Sequence, residues 1–131
     1  MISAVIVDDE LPALLELQHL LSSVQDVVRV AGAFQDPHEM LDRIEQLQPD
    51  VIFLDIEMRD MNGLLVAEVL NEMLPKLTIV FVTAYNEYAL DAFELHATDY
   101  LLKPVSLPRL ANTLARVLKR ADTSTDNKGS S

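Results

Sequence analysis

The sequence predicts a single α/β domain built around a parallel sheet. Apolar segments of strand length alternate with amphipathic helical segments five times along the 131 residues. The strand-like segments, such as Val51–Leu54, are continuous apolar runs, as expected when helices cover both faces of a sheet. Half of the residues are hydrophobic, so a core can form without disulfides, and the sequence has no cysteine.

Five strands are predicted from short runs that are rich in β-branched and other apolar residues. In chain order they cover residues 2–7, 27–33, 51–54, 77–82 and 99–102. All of these runs except the second are followed directly by a charged or polar residue, at which the chain leaves the sheet.

Five helices are predicted from apolar residues that recur at helical spacing. In chain order they cover residues 11–24, 37–47, 64–73, 87–95 and 107–121. Asp36 is the predicted N-cap of the second helix, which ends before Gln48 because Pro49 disfavours helical conformation in the preceding residue. Gly63 precedes the third helix and is expected to serve a turn whose backbone conformation other residues avoid.

Residues 1–121 are predicted to form the domain, and the polar residues 122–131 a linker or terminal tail. No basic leader precedes the apolar opening, and no apolar run approaches the roughly 20 residues that cross a bilayer. A cytoplasmic domain without membrane contact is therefore expected. The formal net charge of -11 argues against direct nucleic-acid contact by this domain and suits a site that attracts cations.

Charged and polar residues follow four of the five predicted strands. Asp8 and Asp9 follow the first, Asp55 the third, Thr83 the fourth and Lys103 the fifth. Ligands of parallel α/β sheets bind beyond the carboxyl ends of the strands, so these side chains are expected to converge. Carboxylates that lie close together repel each other unless a cation neutralises them, and Mg²⁺, which prefers oxygen ligands, is a suitable cation. A carboxylate beside a metal and a lysine suits phosphoryl transfer through an aspartyl-phosphate, although each residue alone is more simply a solvated loop residue.

Four motifs make the sequence resemble the receiver domains of two-component response regulators over about residues 2–120. They are VDDE at 7–10, FLDIEM at 53–58 followed by Gly63, VTAY at 82–85 and DYLLKP at 99–104. The stretch FVTAYNEYALDAFELHATDYLLKPVS is most similar to receivers that precede a LytTR-type DNA-binding domain. The resemblance implies a flavodoxin-like (βα)5 sandwich with five parallel strands in the order 2-1-3-4-5.

The resemblance also implies a role for each site residue. Asp55 would be the phospho-acceptor. Mg²⁺ would be held by Asp9 directly, by Asp8 through water, by Asp55, and by the backbone carbonyl of Glu57. The phosphoryl group would be bound by Lys103, Thr83 and Ala84. Thr83 and Tyr100 would form the switch, and the Lys103–Pro104 peptide bond would be cis.

The implied partners are a sensor histidine kinase, a second copy of the chain on activation, and a C-terminal output domain, expected to be a LytTR-type DNA-binding domain. The chain would be a signalling domain rather than an enzyme, although it would catalyse its own phosphorylation and dephosphorylation. It could be part of a longer regulator or a stand-alone receiver.

The sequence departs from the family pattern at two positions. Arg59 stands where the family usually has proline, and it could reach the acidic site or point into water. Thr113 stands where receivers of winged-helix regulators commonly carry an arginine in the last helix.

Charge is unevenly distributed over the last part of the chain. Five of the ten basic residues fall in the last strand–helix unit, namely Lys103, Arg109, Arg116, Lys119 and Arg120. The fourth helix region carries Glu87, Asp91 and Glu94. One hypothesis is that these two faces meet between two protomers on activation, and the other is that both are simply solvated.

Three alternatives to a phosphorylated receiver are considered from the sequence. A Mg²⁺-dependent aspartyl phosphatase of the haloacid-dehalogenase-like class would place its nucleophile after the first strand in a DxD arrangement, but Asp8 and Asp9 are adjacent. A flavodoxin-like cofactor binder would need a Ser/Thr/Gly-rich phosphate loop after that strand, and DDELPALL is not one. A receiver-like interaction module that works without phosphate is left open by the sequence.

Overall fold

The structure, a computed structural model, describes residues 1–130, with side chains described up to Ala121. The strands are β1 (Ile2–Val7), β2 (Val28–Phe34), β3 (Val51–Leu54), β4 (Thr78–Thr83) and β5 (Asp99–Leu102). The helices are α1 (Leu11–Ser22), α2 (Pro37–Leu47), α3 (Gly63–Met73), α4 (Ala89–Glu94) and α5 (Leu107–Ser130). All strand pairs are parallel and the order is β2-β1-β3-β4-β5, which confirms the predicted fold.

Helices cover both faces of the sheet, which explains why the strands are continuous apolar runs. Alternate residues of a strand point to opposite faces, so Val5 and Val7 of β1 enter one core while Ala4 and Ile6 enter the other. The first core contains the α2, α3 and α4 residues Met40, Ile44, Val66, Ala67, Leu70 and Ala92. The second contains the α1 and α5 residues Leu14, Leu17, Leu21, Leu110, Leu114 and Val117. The two cores hold the central strands from both sides, and the candidate site residues follow these strands.

Side-chain caps start α2 and α3. Asp36 accepts a hydrogen bond from the backbone N–H of His38 at 2.9 Å, so the predicted N-cap is confirmed. Asn62 accepts from the backbone N–H of Leu64 at 2.7 Å, a cap that the sequence prediction missed. These bonds satisfy N–H groups that have no partner inside the helix, and they fix where α2 and α3 begin.

The predicted bounds were wrong mainly at helix ends. α1 ends at Ser22 rather than residue 24, and the backbone N–H of Ser23 bonds back to the carbonyl of Leu20 at 3.1 Å. α5 continues to Ser130 instead of ending at residue 121, because no proline interrupts residues 122–130 and the backbone bonding can continue along a polar stretch. No helix in the described part of the chain has the length and apolarity to span a bilayer.

Candidate functional site

Three carboxylates converge at the carboxyl edge of the sheet. β1 and β3 are hydrogen-bonded neighbours whose last residues, Val7 and Leu54, lie side by side, so Asp8 and Asp55 leave the sheet together. Asp9 follows directly, and one carboxylate oxygen of each aspartate lies within 4.8 Å of the others. Asp8 and Asp55 are buried, at 5% and 6% exposed. The structure therefore brings the three predicted carboxylates into one cluster that could hold a metal ion.

Backbone N–H groups orient two of these carboxylates. Asp55 Oδ1 accepts from the N–H of Ile56 at 2.8 Å, and Asp8 Oδ1 accepts from the N–H of Glu10 at 2.9 Å. In both side chains the other oxygen, Oδ2, bonds to Lys103 instead. Each of these two carboxylates is thus held at both oxygens.

Lys103 supplies the positive charge of the cluster. Its Nζ lies 2.7 Å from Asp8 Oδ2 and 3.3 Å from Asp55 Oδ2. Its backbone N–H donates to the carbonyl of Thr83 at 2.8 Å, and its peptide bond to Pro104 is cis. Lys103 thereby links the end of β5 to Asp8 and Asp55, which follow β1 and β3, and its side chain extends across the end of β4.

Burial sets the protonation of the cluster. It raises the pKa of Asp55 to about 6, with a further upward contribution from Asp8, and Lys103 opposes both. Burial tends to lower the pKa of Lys103, but its bonds to Asp8 and Asp55 outweigh this and raise the pKa. One lysine therefore leaves the negative charge only partly neutralised, and a divalent cation with oxygen ligands fits this donor set.

Arg59, which departs from the family pattern, reaches the acidic cluster. Its backbone N–H donates to Asp9 Oδ2 at 2.9 Å, and its Nε lies 3.4 Å from the same oxygen. The Arg59 side chain is 86% exposed, whereas that of Asp9 is 13% exposed. Of the two expectations for Arg59, contact with the site is the one observed.

The predicted switch residues, Thr83 and Tyr100, meet at the backbone of Tyr85. Thr83 is fully buried at the end of β4, and its Oγ1 accepts from the Tyr85 N–H at 3.4 Å. The hydroxyl of Tyr100 donates to the Tyr85 carbonyl. The Tyr100 ring lies 6.5 Å from that of Phe81, between centroids. The two switch candidates are therefore joined through one residue, while Ala84 lies exposed between Thr83 and Tyr85.

Glu57 lies exposed in the loop after β3, and Gly63 closes that loop. The predicted reason for the glycine was wrong, because its φ angle is not positive. Its backbone N–H donates to the carbonyl of Ile56 at 2.7 Å, and an added Cβ would lie 2.0 Å from the carbonyl oxygen of Asp55. Gly63 is thus required by the close approach of two backbone segments directly behind the candidate acceptor.

Comparison with known proteins decides the family. A family model described as the response regulator receiver domain matches residues 4–115. The chain belongs to this family. It is 50% identical over 118 residues to an uncharacterized response regulatory protein of Yersinia pestis, covering 89% of this chain and 48% of that protein. It is 38% identical over 128 residues to the sensory transduction protein LytT of Bacillus cereus, covering 98% of this chain and 52% of that protein.

A solved structure of a response regulatory domain has the same fold as this receiver. The response regulatory domain of mrkE from Klebsiella pneumoniae superposes with a TM-score of 0.80 at 33% identity, covering 92% of this chain and 98% of that one. The predicted resemblance to LytTR-class receivers is confirmed by the LytT relatives. The receiver spans about half the length of the curated relatives that it matches.

A second charged cluster joins the start of β5 to α5 of the receiver. Asp99 is buried and accepts from both Nη groups of Arg109, at 2.7 and 2.8 Å. Thr113 donates to it at 2.7 Å, and Arg116 Nη1 lies 3.1 Å away. Burial alone would raise the pKa of Asp99, but the bonds from Arg109 and Thr113 lower it to about 2. The sequence reasoning missed this cluster, whose available signal was the helical spacing of residues 109, 113 and 116.

The contacts around Asp99 limit which basic residues of the last strand–helix unit could contact a second protomer. Four of the five basic side chains of this unit bond within the chain: Lys103 to Asp8 and Asp55, Arg109 and Arg116 to Asp99, and Arg120 to Thr98. A contact across protomers therefore concerns chiefly Lys119 and the outer part of Arg116, whose side chain is 58% exposed.

Proposed function

We propose that this receiver accepts a phosphoryl group on Asp55 from the phosphohistidine of a sensor histidine kinase. The observation that carries the proposal is a buried carboxylate at the carboxyl edge of the sheet, beside two further carboxylates and 3.3 Å from a lysine. This set of groups is what phosphoryl transfer to an aspartate requires.

Mg²⁺ is the proposed cofactor. Asp9 and Asp55 would hold it together with the backbone carbonyl of Glu57, and Asp8 would act through water. The fit is supported by the clustered carboxylate oxygens of Asp8, Asp9 and Asp55, and by the burial of Asp55, which together with the nearby Asp8 raises the pKa of its carboxyl group. When bound, the ion supplies positive charge that stabilises the transferring phosphoryl group.

In the proposed transfer, a carboxylate oxygen of Asp55 attacks phosphorus, the P–N bond to the donor histidine breaks, and the imidazole leaves. Lys103, already within hydrogen-bond distance of Asp55, would pair with a phosphoryl oxygen. The Thr83 hydroxyl would donate to another, and the small Ala84 side chain would leave access for the donor. The receiver would thus catalyse its own phosphorylation and, with water as the nucleophile, its own dephosphorylation.

The new phosphoryl group would act on the rest of the receiver through Thr83. Its hydroxyl now bonds to the Tyr85 N–H, and a phosphoryl oxygen would be a competing partner that exists in one state only. The Tyr100 hydroxyl bonds to the carbonyl of Tyr85. A shift of Thr83 that moves Tyr85 would therefore also move Tyr100, and with it the α4-β5-α5 surface.

We infer that this surface mediates homodimerisation on activation. α4 carries two large apolar side chains on its outside, Leu90 and Phe93, at 70% and 76% exposed. Acidic residues flank them, and Lys119 and Arg116 of a second copy are complementary in charge. Dimerisation on activation should be lost in Phe93→Asp but kept in Leu65→Asp, a matched change at an exposed leucine of α3, when measured by analytical ultracentrifugation. Equal dimerisation of the two variants would remove α4 from the interface.

The output is proposed from the relatives. Because the receiver matches only about half of their length, we propose that it works with a C-terminal output domain of the LytTR DNA-binding type, joined through residues 122–131. We place this regulator in the cytoplasm and assign no direct nucleic-acid contact to the receiver, whose net charge is -11.

Intact mass after incubation with acetyl phosphate tests the proposal. The wild type should gain one phosphoryl group in Mg²⁺ and none in EDTA. Asp55→Asn should gain none, whereas Asp60→Asn, which changes an exposed aspartate of the same loop, should behave as the wild type. Modification of Asp55→Asn, or none of the wild type, would overturn Asp55 as acceptor and favour a module that works without phosphate.

A further inference from the structure

Two cationic side chains already partner the three carboxylates of the acidic cluster. Lys103 bonds to Asp8 and Asp55, and Arg59 bonds to Asp9. Both donors of Arg59 converge on a single atom, Asp9 Oδ2, with the backbone N–H at 2.9 Å and Nε at 3.4 Å. A proline at position 59 could form neither bond, because it has no N–H and no charge.

This contact opposes a cation at the same place. A carboxylate oxygen has two lone pairs and could keep the backbone bond while it binds a metal. The guanidinium charge, however, would then stand beside a divalent ion and repel it. Because the Arg59 side chain is 86% exposed, it can move into solvent when the ion binds, at the modest cost of breaking one exposed ion pair, whereas Lys103 is held by two carboxylates.

We propose that Arg59 competes with the divalent cation for Asp9, so that this receiver binds Mg²⁺ more weakly than its carboxylates alone would. Binding of the ion displaces the guanidinium from Asp9 into solvent. Arg59 is therefore a residue that tunes affinity, and the inference rests on the metal site of the proposed function.

Calorimetric titration with Mg²⁺ tests this inference without reference to phosphorylation. Arg59→Gln keeps the backbone donor and removes the charge, so its Kd should fall by about threefold to fivefold at low ionic strength. Arg59→Lys keeps the charge and should stay within about twofold of the wild type. Arg29→Gln removes an equal charge at an exposed position in β2, far along the strand from the site, and should also change Kd by less than about twofold.

The outcomes separate this inference from the metal site itself. The gain in Arg59→Gln should shrink as salt is raised from about 0.01 M to 0.15 M, because the guanidinium is exposed and screened. Equal Kd values for wild type and Arg59→Gln at low salt would overturn the competition and leave the metal site intact. No binding by either protein would overturn both, and an equal gain in Arg29→Gln would reduce the effect to net charge.

Discussion

Replacing Asp55 with asparagine should stabilise the metal-free receiver at pH 7.5. Burial raises the pKa of this carboxylate from 3.8 to about 6, so its ionised form is disfavoured in the folded state. At roughly 1.4 kcal/mol for each tenfold change in proton affinity, this rise corresponds to about 3 kcal/mol, or about 2 kcal/mol after allowance for solvent screening. Asparagine has nearly the same shape, carries no charge, and keeps an oxygen acceptor for the Ile56 N–H.

The difference should depend on pH in a defined direction. Because the folded-state pKa is raised, the folded protein holds more protons than the unfolded chain between pH 4 and pH 6. The wild type is therefore stabilised below about pH 4 and loses this contribution as the pH rises through about 6. Asp55→Asn has no carboxylate at this position and does not lose stability in this way. The difference in free energy of unfolding between the variant and the wild type should therefore be near zero at pH 4 and reach its full value above pH 7.

Urea unfolding followed by far-UV circular dichroism in EDTA would measure both effects. Asp60→Asn is the matched control and should change the free energy of unfolding by less than about 0.5 kcal/mol at every pH. A variant that is less stable than the wild type at pH 7.5, or an advantage that does not vary with pH, would refute this reasoning. Added Mg²⁺ should reverse the order, since only the wild type keeps the full ligand set.

Three further changes probe the surroundings of the site. Gly63→Ala places a Cβ against backbone atoms, so we expect a loss of about 1–3 kcal/mol in urea unfolding and weaker Mg²⁺ binding by calorimetry. Arg109→Gln breaks the paired bond to buried Asp99 and should cost about 2 kcal/mol, against less than about 1 kcal/mol for Arg116→Gln, and equal costs would contradict the geometry. Tyr100→Phe removes one hydrogen bond and should lower stability by about 1 kcal/mol, while intact mass should show unchanged phosphorylation.

The sequence predicted the fold and the acidic cluster for one physical reason. Continuous apolar strands imply a parallel sheet, and a parallel sheet brings the residues after its strands to one edge. The convergence of Asp8, Asp55 and Lys103 follows from strand order and register, not from details of side-chain packing.

What the sequence could not predict depends on loop paths and side-chain directions. Arg59 reaches Asp9 because the loop after β3 turns back toward β1, which no periodicity encodes. Gly63 is needed for a close backbone approach, whereas residue type alone suggested an unusual dihedral angle. Asp99 appeared in the motif DYLLKP as part of a strand, and its bond to Arg109 became visible only when α5 was placed against β5.

The short strand β5 joins two ionic systems that are otherwise separate. Its first residue, Asp99, is bound to α5, and Lys103, directly after its last residue, is bound to the central carboxylates. The two lie roughly 13 Å apart along the strand, at about 3.3 Å per residue. A displacement of β5 along its axis would stretch both sets of bonds together. If the acidic cluster binds Mg²⁺ as proposed, a partner that binds the α5 face and moves this strand would change the cation affinity, and cation binding would change the affinity for that partner by an equal factor.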